Sequence, residues 1–374
     1  MAAPVGRSTP SRRHRQRVVM NRGGEMRNPS ACRFVRRCRP VRSAAFVLVA
    51  VLAALAGCSA ATDRENTTGE RVRVDLLLNW FPEAEHGGYY AALAHGFYEQ
   101  EGLQVRIVPG GPGVPVLSQV ASGRAAFGVS NADTVLLGWA QQAQTVAVFA
   151  PLQISPRCIM VHEESGIQRL AELRNITLAM NPSSTFSLYI QKKLPLPGVK
   201  IVPYSGNVAP FVLDRQMAQQ AYTFSEPYVA RQRGSKPRCL LVSDLGFNPY
   251  TSLLITGRAT LNARPEIVRK MVSASVRGWR HYLRDPAAAN RLLRGQNDEM
   301  SWELLDYGAE QLRPLCVTDE VPLERIGQMM LPRWQTLLDQ LVEVDAIASG
   351  AVQPQAAFSL EFLSRQEESS RQTP

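Results

Sequence analysis

The sequence predicts an α/β protein of two lobes, each a mixed sheet flanked by helices, joined by a hinge of two crossings. Three observations carry this expectation. Short apolar runs alternate with amphipathic helical stretches from residue 72 onward. The alternation breaks after residue 150 at a segment rich in Pro and Ser, then resumes. From residue 264 the chain turns helical and supplies cover for the first unit.

The elements follow in order. Residues 72–78 read as a strand, 87–100 as an amphipathic helix and 103–108 as a strand. A helix at 114–122, a strand at 126–130, a helix at 132–142 and a strand at 146–150 complete the first run. Buried parallel strands are continuous apolar runs, and VDLLL and VAVFA are such runs. The second unit has strands at 176–180 and 199–203 around a helix at 184–193. Residues 207–218 read as helical, 220–223 as strand-like, and a helix runs on to 233. Strands at 239–243 and 252–256 follow, then helices at 264–284, 286–294, 301–313 and 322–347, the last punctuated by Pro332. Lobe 1 is therefore expected at 72–155 plus 250–347, lobe 2 at 156–249, and a tail at 348–374. The crossings fall near 151–162 and 244–252, and two crossing strands make a hinge because few dihedrals must change to close a cleft.

The formal charge of +10 suggests nucleic acid or an anionic surface, but its distribution argues otherwise. Residues 1–57 hold 12 Arg and a single acid, Glu25, which leaves 30 basic against 31 acidic residues in the remainder. The basicity belongs to a leader. After Arg42, residues 44–56 (AAFVLVAVLAALA) are apolar for 13 residues. That length suits a signal-peptide apolar region of ~7–15 residues and falls short of the ~20 that span a bilayer. Leu55-Ala56-Gly57-Cys58 resembles the lipobox of bacterial lipoproteins, which implies cleavage before Cys58 and a lipid on its thiol. Residues 1–57 are thus expected as a signal peptide, with Met20 and Met26 as alternative starts, and 58–71 as a polar tether. Cys158, Cys239 and Cys316 remain, odd in number and far apart, so at most one disulfide can join them. No metal-ligand spacing occurs, the five His are scattered, and no cofactor is implied.

The densest stretch for chemistry is LNWFPEAEHGGYY, residues 78–90, which follows the first strand and opens the first helix. Ligands of open α/β sheets gather at such strand ends, where helix N-termini offer free N–H groups. Gly87-Gly88 is read as backbone that a ligand can approach closely. The competing reading makes Trp80 and Phe81 core and His86 a cap.

These residues, continued through AALAHGFYEQEGLQVRIVPGGPG, resemble the thiamine-pyrimidine-synthase-like family of solute-binding proteins, related to those for nitrate, sulfonates and taurine. GRAAFGVSN at 123–131, QQAYTFSEPY at 219–228 and RGWRHYLRDP at 277–286 extend the resemblance over roughly 72–345. It implies a periplasmic-binding-protein fold of the second topological type, with ligand held in the interlobe cleft. It suggests Asn79, Trp80, His86 and Tyr89 from the first lobe, with Ser130, Asn131 and Asp133 at the mouth of the third strand. Asp133 serves equally as a helix cap there. The second lobe would offer Ser183, Ser184 and Thr185 at another strand-to-helix turn, or an N-cap alone, and Tyr222 with Glu226. A flat heteroaromatic would stack on Trp80 or Tyr222 while Glu226 accepts from its exocyclic amine; a surface salt bridge is the other reading of Glu226. A thiamine-precursor pyrimidine fits this best, before riboflavin, nitrate, sulfonate or taurine. One eukaryotic branch of the fold is an enzyme with a Cys-rich run, and no adjacent cysteines occur here. The expectation is a monomeric extracytoplasmic binding protein, anchored to the membrane by lipid and serving an ABC permease and ATPase, with no nucleic-acid partner.

Overall fold

The computed structural model describes residues 71–363. The expected signal peptide, Cys58 and the tether up to residue 70 lie outside the described residues. Strands β1 (Val72–Leu77), β2 (Leu103–Val108), β3 (Phe127–Ser130), β4 (Thr145–Phe149) and β10 (Leu253–Gly257) form one sheet, in the order β2-β1-β3-β10-β4. A second sheet has the order β7-β6-β8-β5-β9, from β5 (Arg157–His162), β6 (Thr177–Ala179), β7 (Lys200–Val202), β8 (Met217–Tyr222) and β9 (Pro237–Leu241). In the first, β1 runs parallel to β2 and β3, while β10 is antiparallel to β3 and β4. In the second, β6 runs parallel to β7 and β8, while β5 is antiparallel to β8 and β9. Each sheet thus takes its one antiparallel strand from the segment that has just crossed from the other sheet.

Helices cover both sheets. In chain order they are α1 (Gly87–Ala94), α2 (Phe97–Gln100), α3 (Val116–Ala121), α4 (Ala132–Ala140), α5 (Thr185–Lys193), α6 (Ala209–Leu213) and α7 (Glu226–Gln232). The return adds α8 (Arg258–Ala263), α9 (Pro265–Tyr282), α10 (Ala287–Gln296), α11 (Trp302–Cys316) and α12 (Leu331–Glu343). The amphipathic α9 buries Ile267, Val268, Met271, Val272, Ser275, Val276, Trp279 and Tyr282 along one side, the spacing of a single helical face. That face packs on α1 so closely that a Cβ at Gly87 would stand 2.0 Å from the Tyr282 ring. At Gly88 it would stand 2.1 Å from Trp279, and at Gly278 it would stand 2.2 Å from the Gly88 carbonyl. The Gly87-Gly88 pair therefore serves helix packing, and aromatic side chains occupy the space expected for a ligand.

Several elements differ from expectation. Residues 157–162 lie within the expected crossing but form β5, with partners on both sides. Residues 207–218 are not one helix. Only Ala209–Leu213 is helical, and a turn at Asp214, whose Oδ1 accepts from the Gln216 N–H, leads into β8. The helix expected over 87–100 breaks at Gly96, whose φ of 66° is left-handed. Pro332 begins α12 rather than interrupting a longer helix, because the first turn needs no N–H there. After residue 347 the chain stays packed through residue 363. Ala147 bridges Phe358, whose ring stacks on Trp334 at 5.4 Å, and Phe362 is buried.

Candidate functional site

Polar side chains converge where the carboxyl ends of β1 and β3 meet the starts of β5 and β10 and the first turns of α4, α5 and α7. The first lattice of contacts is built on Asn79. Its Oδ1 accepts from His86 Nε2 at 3.0 Å, and its Nδ2 donates to Glu85 Oε1 at 3.4 Å. His86 Nδ1 accepts the Glu83 backbone N–H at 3.4 Å, which puts the ring proton on Nε2. Burial pushes His86 down to about 3, so the imidazole is neutral. Glu85 is fully buried, and burial pushes it up to about 7 against the bonds it accepts from Ser252 Oγ, at 3.0 Å, and Asn79.

Ser252 ties this lattice to the third strand. Its φ of 55° is unusual for a residue with a side chain, and three bonds hold it there. Besides the contact to Glu85, its N–H donates to Asn131 Oδ1 at 3.2 Å and its carbonyl accepts from the Tyr89 hydroxyl at 2.8 Å. Tyr89 therefore stands behind the site. Its ring is buried in the core, edge-on to Trp279 at 5.8 Å. Asn131, the N-cap of α4, stands close enough to Tyr222 of the second sheet to act on its hydroxyl.

Arg157 was not singled out from the sequence. It opens β5 directly opposite Tyr222 in the register. Its guanidinium lies 4.1 Å from the Tyr222 ring centroid and 4.7 Å from that of Phe186, and Nη2 donates to the Tyr222 hydroxyl at 2.9 Å. One face of the expected stacking surface at Tyr222 is thereby covered. Glu226 is likewise engaged within its own lobe. Oε2 accepts the Tyr222 N–H at 2.8 Å and Oε1 accepts from the Tyr204 hydroxyl at 3.2 Å. Burial raises its pKa, opposed by those bonds and by Arg157. Glu83 is raised well above the usual carboxylate range by burial and then by repulsion from Glu85 and Glu226. Three carboxylates thus share one neighbourhood with one guanidinium.

The remaining expected residues separate. Thr185 Oγ1 donates to Asp133 Oδ2 at 2.5 Å, whereas Asp133 Oδ1 is buried without a partner. Ser183 is exposed and bonds Asn181 Oδ1, while Ser184 Oγ donates to the Asn181 carbonyl at 2.8 Å, so both close a local turn. Ser130 is buried, its backbone paired with Leu253. Trp80 is 36% exposed just beyond Asn79, edge-on to Phe81 at 5.5 Å. Its exposure excludes the core reading. Sequence reasoning missed Arg157, Glu85, Ser252, Phe186 and Tyr204. Glu85 lay inside the dense stretch, and Arg157 heads the apolar run CIMV. Among the described residues, no group of three or more His, Cys, Asp or Glu can hold a metal ion, and Cys158, Cys239 and Cys316 are free thiols. A separate cavity of about 860 Å³ lies at the opposite strand ends of the first sheet, lined by Arg73, Tyr90, Arg106, Arg124 and Leu292 among others.

Residues 83–289 match the family model described as NMT1/THI5 like. The chain belongs to that family. The matched span takes in most of the polar lattice, from Glu83 through Asn131, Arg157 and Glu226 to Ser252. The formylaminopyrimidine-binding protein of Halalkalibacterium halodurans is 24% identical over 324 residues, 84% of this chain and 97% of that one. The riboflavin-binding protein RibY of Chloroflexus aurantiacus is 23% identical over 320 residues, covering 78% and 86% respectively. The periplasmic aliphatic sulphonate binding protein SsuA of Escherichia coli superposes with a TM-score of 0.58 at 16% identity, over 77% of this chain and 91% of that one. The fold is that of periplasmic binding proteins, two mixed sheets flanked by helices.

Proposed function

We propose that this chain is the extracytoplasmic solute-binding lipoprotein of an ABC importer, and that it captures a thiamine-precursor pyrimidine (hydroxymethyl- or formylamino-) between its lobes. The observation that carries the ligand class is half-buried Asn79, held by buried Glu85 and His86 beside exposed Trp80. Asn79, fixed by Glu85 and His86, offers an amide edge to the ring's polar atoms, and Trp80 an indole face for the ring itself. Glu85 and Glu226 both already accept bonds from the protein, Glu85 from Asn79 and Ser252 and Glu226 from Tyr222 and Tyr204, so they act on the ligand by fixing the groups that meet it. The groups around Arg157 are acids, Glu85 and Glu226 among them, so an anionic nitrate or sulfonate head finds a single cation there. The similarity to a formylaminopyrimidine-binding protein supports the choice, and that to RibY keeps riboflavin as the second reading.

Lobe 1 at 72–155 with 250–347 and lobe 2 at 156–249 would close about the two crossings. Ligand shifts that equilibrium only by its higher affinity for the closed form. A lipid on Cys58 would hold the protein at the membrane beside its permease and ATPase, and the protein acts as a monomer and not as an enzyme. A thermal-shift panel of hydroxymethyl-, formylamino- and aminomethyl-pyrimidines, riboflavin, taurine and nitrate tests this. Ligand at 100 times its dissociation constant adds about 2.7 kcal/mol of stability. A shift with pyrimidines and none with taurine or nitrate is expected. A shift with riboflavin alone selects the second reading, and a shift with oxoanions alone overturns both.

A further inference from the structure

Arg157 has more donors than the protein uses. Its guanidinium carries five N–H groups in a rigid fork, and a single hydrogen bond, to the Tyr222 hydroxyl, is made by that group among the described residues. It forms no ion pair there, although Glu85 and Glu226 both feel its charge. Arg157 is half-buried, and none of its remaining nitrogens is among the fully buried, unpartnered atoms. Phe186 and Tyr222 hold the group from the sides. The cross-strand pair with Tyr222 fixes its place at the first residue after the crossing into the second sheet.

We propose that Arg157 is a specificity-determining residue that donates to an oxygen acceptor on an uncharged ligand, and so selects carbonyl-bearing heteroaromatics. This rests on the proposed function and narrows it: among pyrimidines, the site takes the formylamino form ahead of the aminomethyl form. Two features restrict the acceptor to a neutral one. The titratable groups beside Arg157 are acids that supply no second cation for an anionic head, and a guanidinium clamped between rings keeps its fork orientation for a carbonyl. An aminomethyl ligand offers Arg157 only another cation or donor. Asn79 would bind its ring edge while its substituent faced an unmatched guanidinium.

The test is isothermal titration of the mature chain and its Arg157→Lys and Arg157→Gln variants with formylamino-pyrimidine, aminomethyl-pyrimidine and riboflavin. Wild type is expected to prefer the formylamino ligand. In both variants the ratio of the two pyrimidine dissociation constants should shrink by about tenfold or more, the scale of a hydrogen bond to a charged group. Lysine keeps the charge and the fold but loses the fork, which guards against a variant that merely misfolds. Equal losses for both pyrimidines would assign Arg157 a structural role and overturn the proposal, as would an unchanged ratio. If wild type binds riboflavin alone, the pyrimidine reading fails by itself. The variants then decide the role of Arg157 on the flavin's carbonyl edge, a loss of about tenfold or more supporting it and a loss under about threefold overturning it. If none of the three binds wild type, both fall.

Discussion

The Thr185 hydroxyl donates to the Asp133 carboxylate at 2.5 Å and joins the first turn of α5, beside the second sheet, to the first turn of α4, beside the first. It is one of several direct bonds between groups carried by different sheets, with Tyr307–Thr223, Arg231–Tyr307 and Lys193–Glu343 among the others. A charge-assisted bond of this kind contributes about 1.5–3 kcal/mol. Thr185→Val removes the donor at nearly constant volume. It should open the ligand-free molecule, seen as a larger radius of gyration by small-angle scattering, and weaken ligand binding. Unchanged scattering and affinity would show that the bond does not bias closure.

Glu85 and His86 predict an unusual pH profile of stability. Burial raises Glu85 from 4.5 to about 7, so the folded state keeps a proton that the unfolded chain releases. Stability from this group is present below about 4.5 and is lost as pH rises to about 7, on the order of 3 kcal/mol at most. His86 acts in the opposite sense. Its value falls from 6.5 to about 3, so stability is lost as pH drops below about 6.5. The two slopes oppose each other between about 4.5 and 6.5. Glu85→Gln removes the Glu85 slope and leaves the histidine slope opposed by Glu83 and Glu226 alone, so the variant's denaturation midpoint should climb more steeply through that window than the wild type's. Parallel profiles would sink the assignment.

Gly88→Ala should destabilise the fold without touching the ligand. The added Cβ meets Trp279 at 2.1 Å, and both backbones are held by helix packing. Overpacking of this kind costs about 1–3 kcal/mol, read as a lower urea midpoint. A selective loss of ligand affinity with normal stability would restore the ligand-approach reading of the glycine pair.

Trp80→Ala should do the reverse. The indole is 36% exposed, so its removal costs little stability. Loss of a stacking face worth about 0.5–1.5 kcal/mol should weaken pyrimidine binding several-fold by titration. A large drop in melting temperature would instead mark it as packing.

The first lobe was legible because its strands are continuous apolar runs, and β1, β2 and β3 fall within a residue or so of expectation. β5 escaped because Pro151 and Pro156 precede it and Arg157 and His162 bracket it, so the run CIMV reads as part of a connection. Met217-Ala218 read as helix because both residues favour helices, whereas pairing with β5 and β6 overrides that preference. The site was half legible. Asn79, Asn131, Tyr222 and Glu226 converge as expected, but Glu85 hides among acids that look solvated, and nothing local says that Arg157 will face Tyr222. That pairing spans 65 positions and exists only in the folded sheet.

The exchange of strands between sheets also dictates an order of assembly. The second sheet has all five of its strands once residue 241 has emerged. The first does not. Its strand β4 pairs with β10 and is bridged by Phe358, both made later. As the chain is made amino-terminus first, β4 must wait with an open edge until residue 253 has been added. The lobe that starts first therefore finishes last, and its exposed strand is where a chaperone has most reason to act.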